Sequence, residues 1–560
     1  MKKVLALVLA FAMLLSLAGC GGGDTNTTAA AGGSGETQAA GGETQAAGGE
    51  TQPAGEDETA GGSGAASGDI VPGGTFVIGA GGSPSMFNPD YRSDDNLYPI
   101  AQNIFNRLIK LTNYDTVIPD LAESYEFSED GKTLTFHLHE GVKWHDGVDF
   151  TSEDVKWTYD TMMEEQWFKA TVLESVESIE CPDANTVVFN LTVPDVTIVS
   201  KLGWYGTFIL PKHLYEGQDA GTCDAATKNP VGTGPFKFES YEVDVATTLV
   251  KNEDFWGDEP NPDKLIFAIY KDEDAGYQAW LNGEVDYLYS VPVANTGDQD
   301  NDPDYRVFEQ IWQNRTYVTF NFEDPDFGKV EVRKAVQLAI DRPGLEQRVG
   351  GGTRFAADYY VSPVQTDYLD ENYKQPDRNI EEAMRLLESA GYTKDAEGFY
   401  IHATIDVFES GYFGDMAQVI KANLAEIGID LTVNMLEYAA WVDKVQTEHN
   451  FSITALAGYQ GPDISGLAGR IQTGASSNVG GYSNERVDEL LALSNVEPDT
   501  EKRAEYFSEI QKIMDEEVPM VLLLENGAKY PVKNSLVNTP YDLPEKAAAS
   551  EFTYLAFAAE

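Results

Sequence analysis

Apolar residues change their spacing once along the stretch from Asn314 to Arg342, NRTYVTFNFEDPDFGKVEVRKAVQLAIDR. Residues 316–322 are rich in β-branched and aromatic side chains, which favours a strand. Farther on, Val332, Ala335, Val336, Ala339 and Ile340 recur at the spacing of one helix face. A strand feeding a buried helix is therefore predicted. The same two periods recur elsewhere. Strands are predicted at 74–78, at 134–138 where Leu134, Phe136 and Leu138 alternate with polar residues, at 186–191, 305–312 and 431–435, and at the wholly apolar 520–524. Helices are predicted at 98–110, which places Ile100, Ile104, Phe105 and Leu108 on one side, and at 380–390, capped by Asn379 and ended by Gly391. Met416, Val419, Ile420, Leu424 and Ile427 form a further helical stripe stopped by Gly428, and 501–517 is amphipathic. Strands alternating with helices at these lengths make an α/β protein.

With 560 residues the chain is long enough for about three domains. Its formal net charge of -54 argues against binding to nucleic acid or to an anionic membrane face, both of which require clustered Lys and Arg. So broad an acidity reads as a solvated surface and names no cationic substrate. The N-terminus is organised differently. Lys2 and Lys3 precede an apolar run, 4–15, that ends in Leu17-Ala18-Gly19-Cys20. That run is shorter than the ~20 residues of a membrane-spanning helix, so 1–19 read as a secretory signal. Residues 20–71 are dominated by Gly, Ala, Ser, Thr, Glu and Gln, and Glu36-Thr37-Gln38 recurs at Glu43 and Glu50. Glycine pairs inside each period exclude a coiled coil, which leaves a flexible tether.

Several patterns suggest chemistry, and each has a plainer reading. His137, His139, His145 and Glu140 lie close in sequence, but a turn separates His145 from the strand that carries the other two, so no metal site is expected. Asp298, Asp300, Asp302, Asp304 and Glu309 imitate a calcium loop, yet Pro303 stands where such a loop needs glycine. The bend Gly81-Gly82-Ser83-Pro84 lacks the lysine of a phosphate loop. Cys181 and Cys223 make a disulfide permissible in an exported protein, with free thiols equally compatible. Hydrolase signatures are missing: there is no G-x-S-x-G and no H-E-x-x-H.

The run VRKAVQLAIDR, the stretch GKTLTFHLHEGVKWHDGVDFTSEDVKWTYD at 131–160, and the turn NPVGTGPF at 229–236 together resemble the family 5 extracellular solute-binding proteins, the peptide and nickel binders of ABC importers. EAMRLLESAGY, IKANLAEIGIDLTV and NVGGYSNERVDEL extend the resemblance from about Gly73 to the C-terminus. It implies a two-lobe periplasmic-binding-protein-like fold of type II with an extra inserted domain and the ligand cleft between the lobes. Lobe 1 is expected at 72–112, 230–314 and 516–560, the inserted domain at 113–229, and lobe 2 at 315–515. Cys20 resembles the lipidated cysteine of bacterial lipoproteins, which implies a monomer anchored to the extracytoplasmic face of the cell membrane and partnered by ABC permease subunits. No cofactor, metal or catalysis is implied.

For the site, the resemblance implies that the first bend faces the cleft, with Ser83, Met86 and Asn88 as candidates. Aromatic residues expected near it are Trp204, Tyr205, Tyr412, Tyr438, Trp441 and Tyr459. Dipeptide binders of the family pair the peptide ammonium with an aspartate in the run that corresponds to 457–466, where only Asp463 can serve; their carboxylate-binding arginine falls near Ser410. Arg470 is the remaining candidate for an anionic group. The expected ligand is an oligopeptide longer than two residues, with an oligosaccharide as the alternative and a surface hydrolase of peptides or glycans as the reading from a different class.

Overall fold

A computed structural model describes residues 70–112, 116–204, 207–289, 291–409, 411–461 and 463–559. The signal segment, Cys20, most of the tether, Tyr205 and Ser410 lie outside the described residues.

Two long strands, Tyr305–Phe320 and Met520–Lys533, run antiparallel from Tyr305↔Lys533 to Thr319↔Met520. At about 3.3 Å per residue the first reaches roughly 50 Å, long enough to belong to two lobes at once. The segments predicted separately at 305–312 and 316–322 merge into this one strand, which ends at Phe320, two residues short of the expectation, and has register shifts between Ile311 and Asn314 and between Thr316 and Tyr317. Next to the bulges, Arg315 and Glu525 pair across the strands with almost no exposure, Nε to Oε2 at 2.9 Å, and Arg315 also donates to the Tyr360 carbonyl at 2.7 Å.

The pair lies in a mixed six-stranded sheet ordered Arg354–Ala356, Met520–Lys533, Tyr305–Phe320, Ile453–Tyr459, Ile401–Phe408, Ile429–Leu436. Val318, Phe320, Val521 and Leu523 enter the core on one face, under the helices Val330–Ala339 and Phe413–Glu426, while Tyr317 and Leu522 enter the core on the other, with Phe507 of the helix Thr500–Glu517. Covering on both faces is why residues 520–524 are apolar without alternation. Farther along the same strand Val532 joins the first-lobe core instead.

That first-lobe core is built on a five-stranded sheet, Tyr287–Leu288, Thr75–Ala80, Lys264–Ile269, Ala246–Lys251, Phe236–Glu242. A four-stranded antiparallel sheet, Ala122–Phe127, Thr133–Leu138, Thr186–Leu191, Val176–Asp183, packs into the same continuous core through Phe136, Trp144 and Phe189. A three-stranded sheet of Ile70–Val71, Ala556–Ala558 and Leu536–Val537 joins both ends of the described chain, and Phe557 stacks on Phe76 at 4.5 Å.

The helix expected at 98–110 stops at Ile104, and Ile109–Leu111 is a short strand instead. The apolar period continues, since Phe105 and Leu108 are buried, but the turn at 229–236 presses against the helix end. Gly234 donates its N–H to the Ile104 carbonyl at 2.9 Å, and a Cβ on Gly232 would stand 1.8 Å from that oxygen. Glycine is required there by close approach. His145 holds the turn from the other side: its Nδ1 accepts from the Gly232 N–H at 3.2 Å and its Nε2 meets the Gly234 carbonyl at 3.0 Å. Burial pushes the imidazole pKa down to about 4, so the ring is neutral in this role.

The remaining histidines of that stretch go elsewhere, His137 facing Glu126 at 3.8 Å and His139 facing Glu123 at 3.9 Å. Cys181 and Cys223 are unbonded. In the acidic loop, Asp298 accepts from the Tyr277 hydroxyl at 3.1 Å, while Asp300 pairs with Lys529 at 2.7 Å.

Candidate ligand-binding cleft

Where the two long strands pass between lobes, the sheet carries a transverse row. Arg354 is paired with Asn526, Asn526 with Asn314, and Asn314 with Tyr459, across four adjacent strands. Directly paired residues project to the same face of a sheet. Arg354, Asn526 and Asn314 accordingly line one cavity of about 800 Å³. A neighbouring cavity of about 240 Å³ is lined by Tyr459 and shares Asn314, Tyr98, Trp204 and Trp312 with the first. The larger volume lies within the range of small-ligand sites.

The walls are aromatic, lined by Tyr98, Trp204, Tyr289, Trp312, Tyr412 and Tyr530. Trp204 stacks on Tyr459 with centroids 5.1 Å apart and planes 18° apart, closing one end. Behind it, the Lys169 ammonium sits 3.6 Å from the Trp204 ring centre, and burial pushes its pKa down to about 8. Arg107 fixes the backbone here by donating from Nε to the Trp204 carbonyl at 3.0 Å.

The polar groups of the floor differ in how fully they are engaged. Asn526 donates through Nδ2 to Asn314 Oδ1 at 2.8 Å, and its own Oδ1 is buried with no partner among the described residues. Lys529 is neutralised by Asp300 at 2.7 Å and Glu309 at 3.2 Å. The half-buried Arg354 lies with its guanidinium 3.9 Å from the Tyr412 ring centre and donates through Nη1 to the Val349 carbonyl at 3.2 Å. Among the described residues it has no carboxylate partner within salt-bridge distance. Tyr412 is held in turn by a 2.6 Å hydrogen bond with Thr316 Oγ1. Among the described residues, Asp95 is the one acidic side chain in the cavity lining.

The structure brings together only part of the sequence-predicted set. Trp204, Tyr412 and Tyr459 border the two cavities. The first bend does not. Ser83 donates to Asp244 at 3.0 Å, Met86 is 3% exposed, and Asn88 is fully buried, donating to the Ala220 carbonyl at 3.0 Å. Trp441 is buried, with Nε1 donating to Thr454 Oγ1 at 3.1 Å, and Tyr438 stacks on its outer side at 6.1 Å. Asp463 is engaged in a two-pronged pair with Arg503 at 2.6 and 2.8 Å and borders a separate depression with Tyr368. Its carboxyl pKa is lowered: burial, the largest influence, opposes ionisation, and Arg503 outweighs it. Arg470 donates to the carbonyls of Tyr459 and Gly466, at 3.1 and 3.4 Å.

Sequence reasoning missed Arg354, Asn314, Asn526 and Asp95. For Asn526 the local signal points elsewhere, because the dipeptide Asn526-Gly527 favours a turn. In the structure it is mid-strand.

The model of bacterial extracellular solute-binding proteins, family 5 Middle, matches residues 116–477. The dipeptide-binding protein of Escherichia coli (strain K12) is 27% identical over 491 residues, which cover 82% of this chain and 91% of the relative. Heme-binding protein A of Haemophilus influenzae is 30% identical over 477 residues, covering 80% and 86%. In fold, the chain is similar to the solved structure of HbpA2 from Haemophilus parasuis, with a TM-score of 0.77 at 23% identity over 87% of this chain and 99% of that one.

Proposed function

The chain belongs to the family 5 bacterial extracellular solute-binding proteins, the type II binding proteins of ABC importers, and we propose that its own solute is an oligopeptide longer than two residues. The observation that carries this reading is the pairing of aromatic walls with a floor of amide side chains, one of which keeps an unused buried acceptor. A peptide supplies both complements: side chains for the rings and backbone N–H groups for the amide oxygen. A site that used Asp463 as the ammonium anchor of a dipeptide would have to break the Asp463–Arg503 pair. An oligosaccharide would also suit the rings, but it gives Arg354, which has no carboxylate partner among the described residues, no counter-ion unless the sugar is acidic.

In this proposal the receptor is tethered by a lipid on Cys20, captures its ligand as the lobes close, and hands it to the permease without turnover. Ligand identification tests the core of it. Native mass spectrometry of material co-purified with the protein should show bound peptide, and calorimetry should rank tri- to pentapeptides above dipeptides and neutral glycans. Tighter binding of a neutral oligosaccharide would overturn the reading. The anchor is tested separately: Cys20→Ala should free the protein from membranes, and wild-type retention would remove the lipid from the proposal.

A further inference from the structure

The transverse row also carries information about ligand length and polarity, on the premise that the solute is a peptide. Four residues, Arg354, Asn526, Asn314 and Tyr459, occupy the same register on four neighbouring strands. Three inter-strand gaps at about 4.8 Å make the row roughly 14 Å long, and an extended peptide advances about 3.4 Å per residue. The row therefore matches about four residues laid across the strands. Its two ends differ. One is Arg354, stacked on Tyr412 and without a carboxylate partner among the described residues; the other is the Trp204–Tyr459 stack. Between them, Asn526 keeps a buried Oδ1 with no partner among the described residues.

We infer that the cleft selects extended peptides of about four residues by their free C-terminal carboxylate, held by Arg354, with the Asn526 amide oxygen accepting from a peptide N–H and the Trp204–Tyr459 stack packing against the N-terminal part. The chemistry favours the carboxylate over other groups. In a chain with 92 acidic and 38 basic residues, a half-buried cleft guanidinium left without an acid is the group a carboxylate ligand can pair with at both open nitrogens. Lys529 cannot compete for it, because Asp300 and Glu309 already hold its ammonium.

The test is calorimetry on the full-length receptor with peptides of two to six residues, each as the free acid and as the C-terminal amide. Affinity should peak near four residues, and amidation should weaken binding about tenfold to hundredfold, the usual range for a lost charged hydrogen bond. Arg354→Met should bind the acid as weakly as the amide, while Arg354→Lys should keep a preference for the acid. Thermal melting of each variant checks that the fold is intact. Equal affinity of wild-type protein for acids and amides would overturn the role of Arg354 while leaving peptide capture standing. A flat dependence on length would overturn the reading of the row. Failure of every peptide to bind would instead remove the peptide reading on which both rest.

Discussion

Asp463 and Arg503 are nearly withdrawn from water, their side chains 11% and 6% exposed. Removing one member of such a pair leaves the other buried without its counter-charge. Asp463→Asn is expected to lower unfolding stability by about 3 kcal/mol in urea titrations while changing peptide affinity less than threefold. A loss of binding without loss of stability would return Asp463 to the ligand. The residue illustrates what a single sequence conceals. A carboxylate in a loop reads as available until its partner is known, and Arg503 is 40 positions away. Arg354 presents the converse case. Nothing in its short strand, Arg354–Ala356, separates it from a surface arginine until the neighbouring strands place Asn526 beside it. Of the aromatic candidates, Trp204, Tyr412 and Tyr459 border the cavities. Trp441 shares their chemistry and is core, a distinction made by packing alone.

At the scale of elements, patterning gave the strands and helices wherever one periodicity runs unbroken. Thr186–Leu191 has the predicted bounds, and Val330–Ala339 carries the predicted stripe. Errors arose where a tertiary contact interrupts or overrides the local signal. The helix from Tyr98 ends early against the turn at 229–236, and the strand from Met520 continues through a dipeptide with turn character. That continuation depends on Gly527. A Cβ there would stand 2.2 Å from the Gln310 carbonyl oxygen, on the partner strand, so Gly527→Ala must push the two long strands apart beside the bulge. It is expected to cost roughly 1–3 kcal/mol of stability and to weaken ligand binding, because the floor residues Asn526 and Asn314 move with their strands. Calorimetric melting together with ligand titration checks this, and unchanged values in both would show that the strand pair yields at no cost.

Across the whole molecule, the shared core of the five- and four-stranded sheets makes the first lobe and the region at 113–229 one packed body, joined to the second lobe through the pair Tyr305–Phe320 and Met520–Lys533. Ligand contacts made by both sides of the cleft favour the closed arrangement by the difference in affinity between closed and open states. Small-angle scattering should therefore show a smaller radius of gyration at saturating peptide, and an unchanged radius would rule out closure as the capture step. The start of the described chain bears on that motion. Ile70 and Val71 are laced to Ala558 and Phe557, and Phe557 is stacked on Phe76, so the described chain begins on strands packed into the first lobe. A receptor anchored in the way proposed would then be held by its first lobe, leaving the second as the lobe that swings.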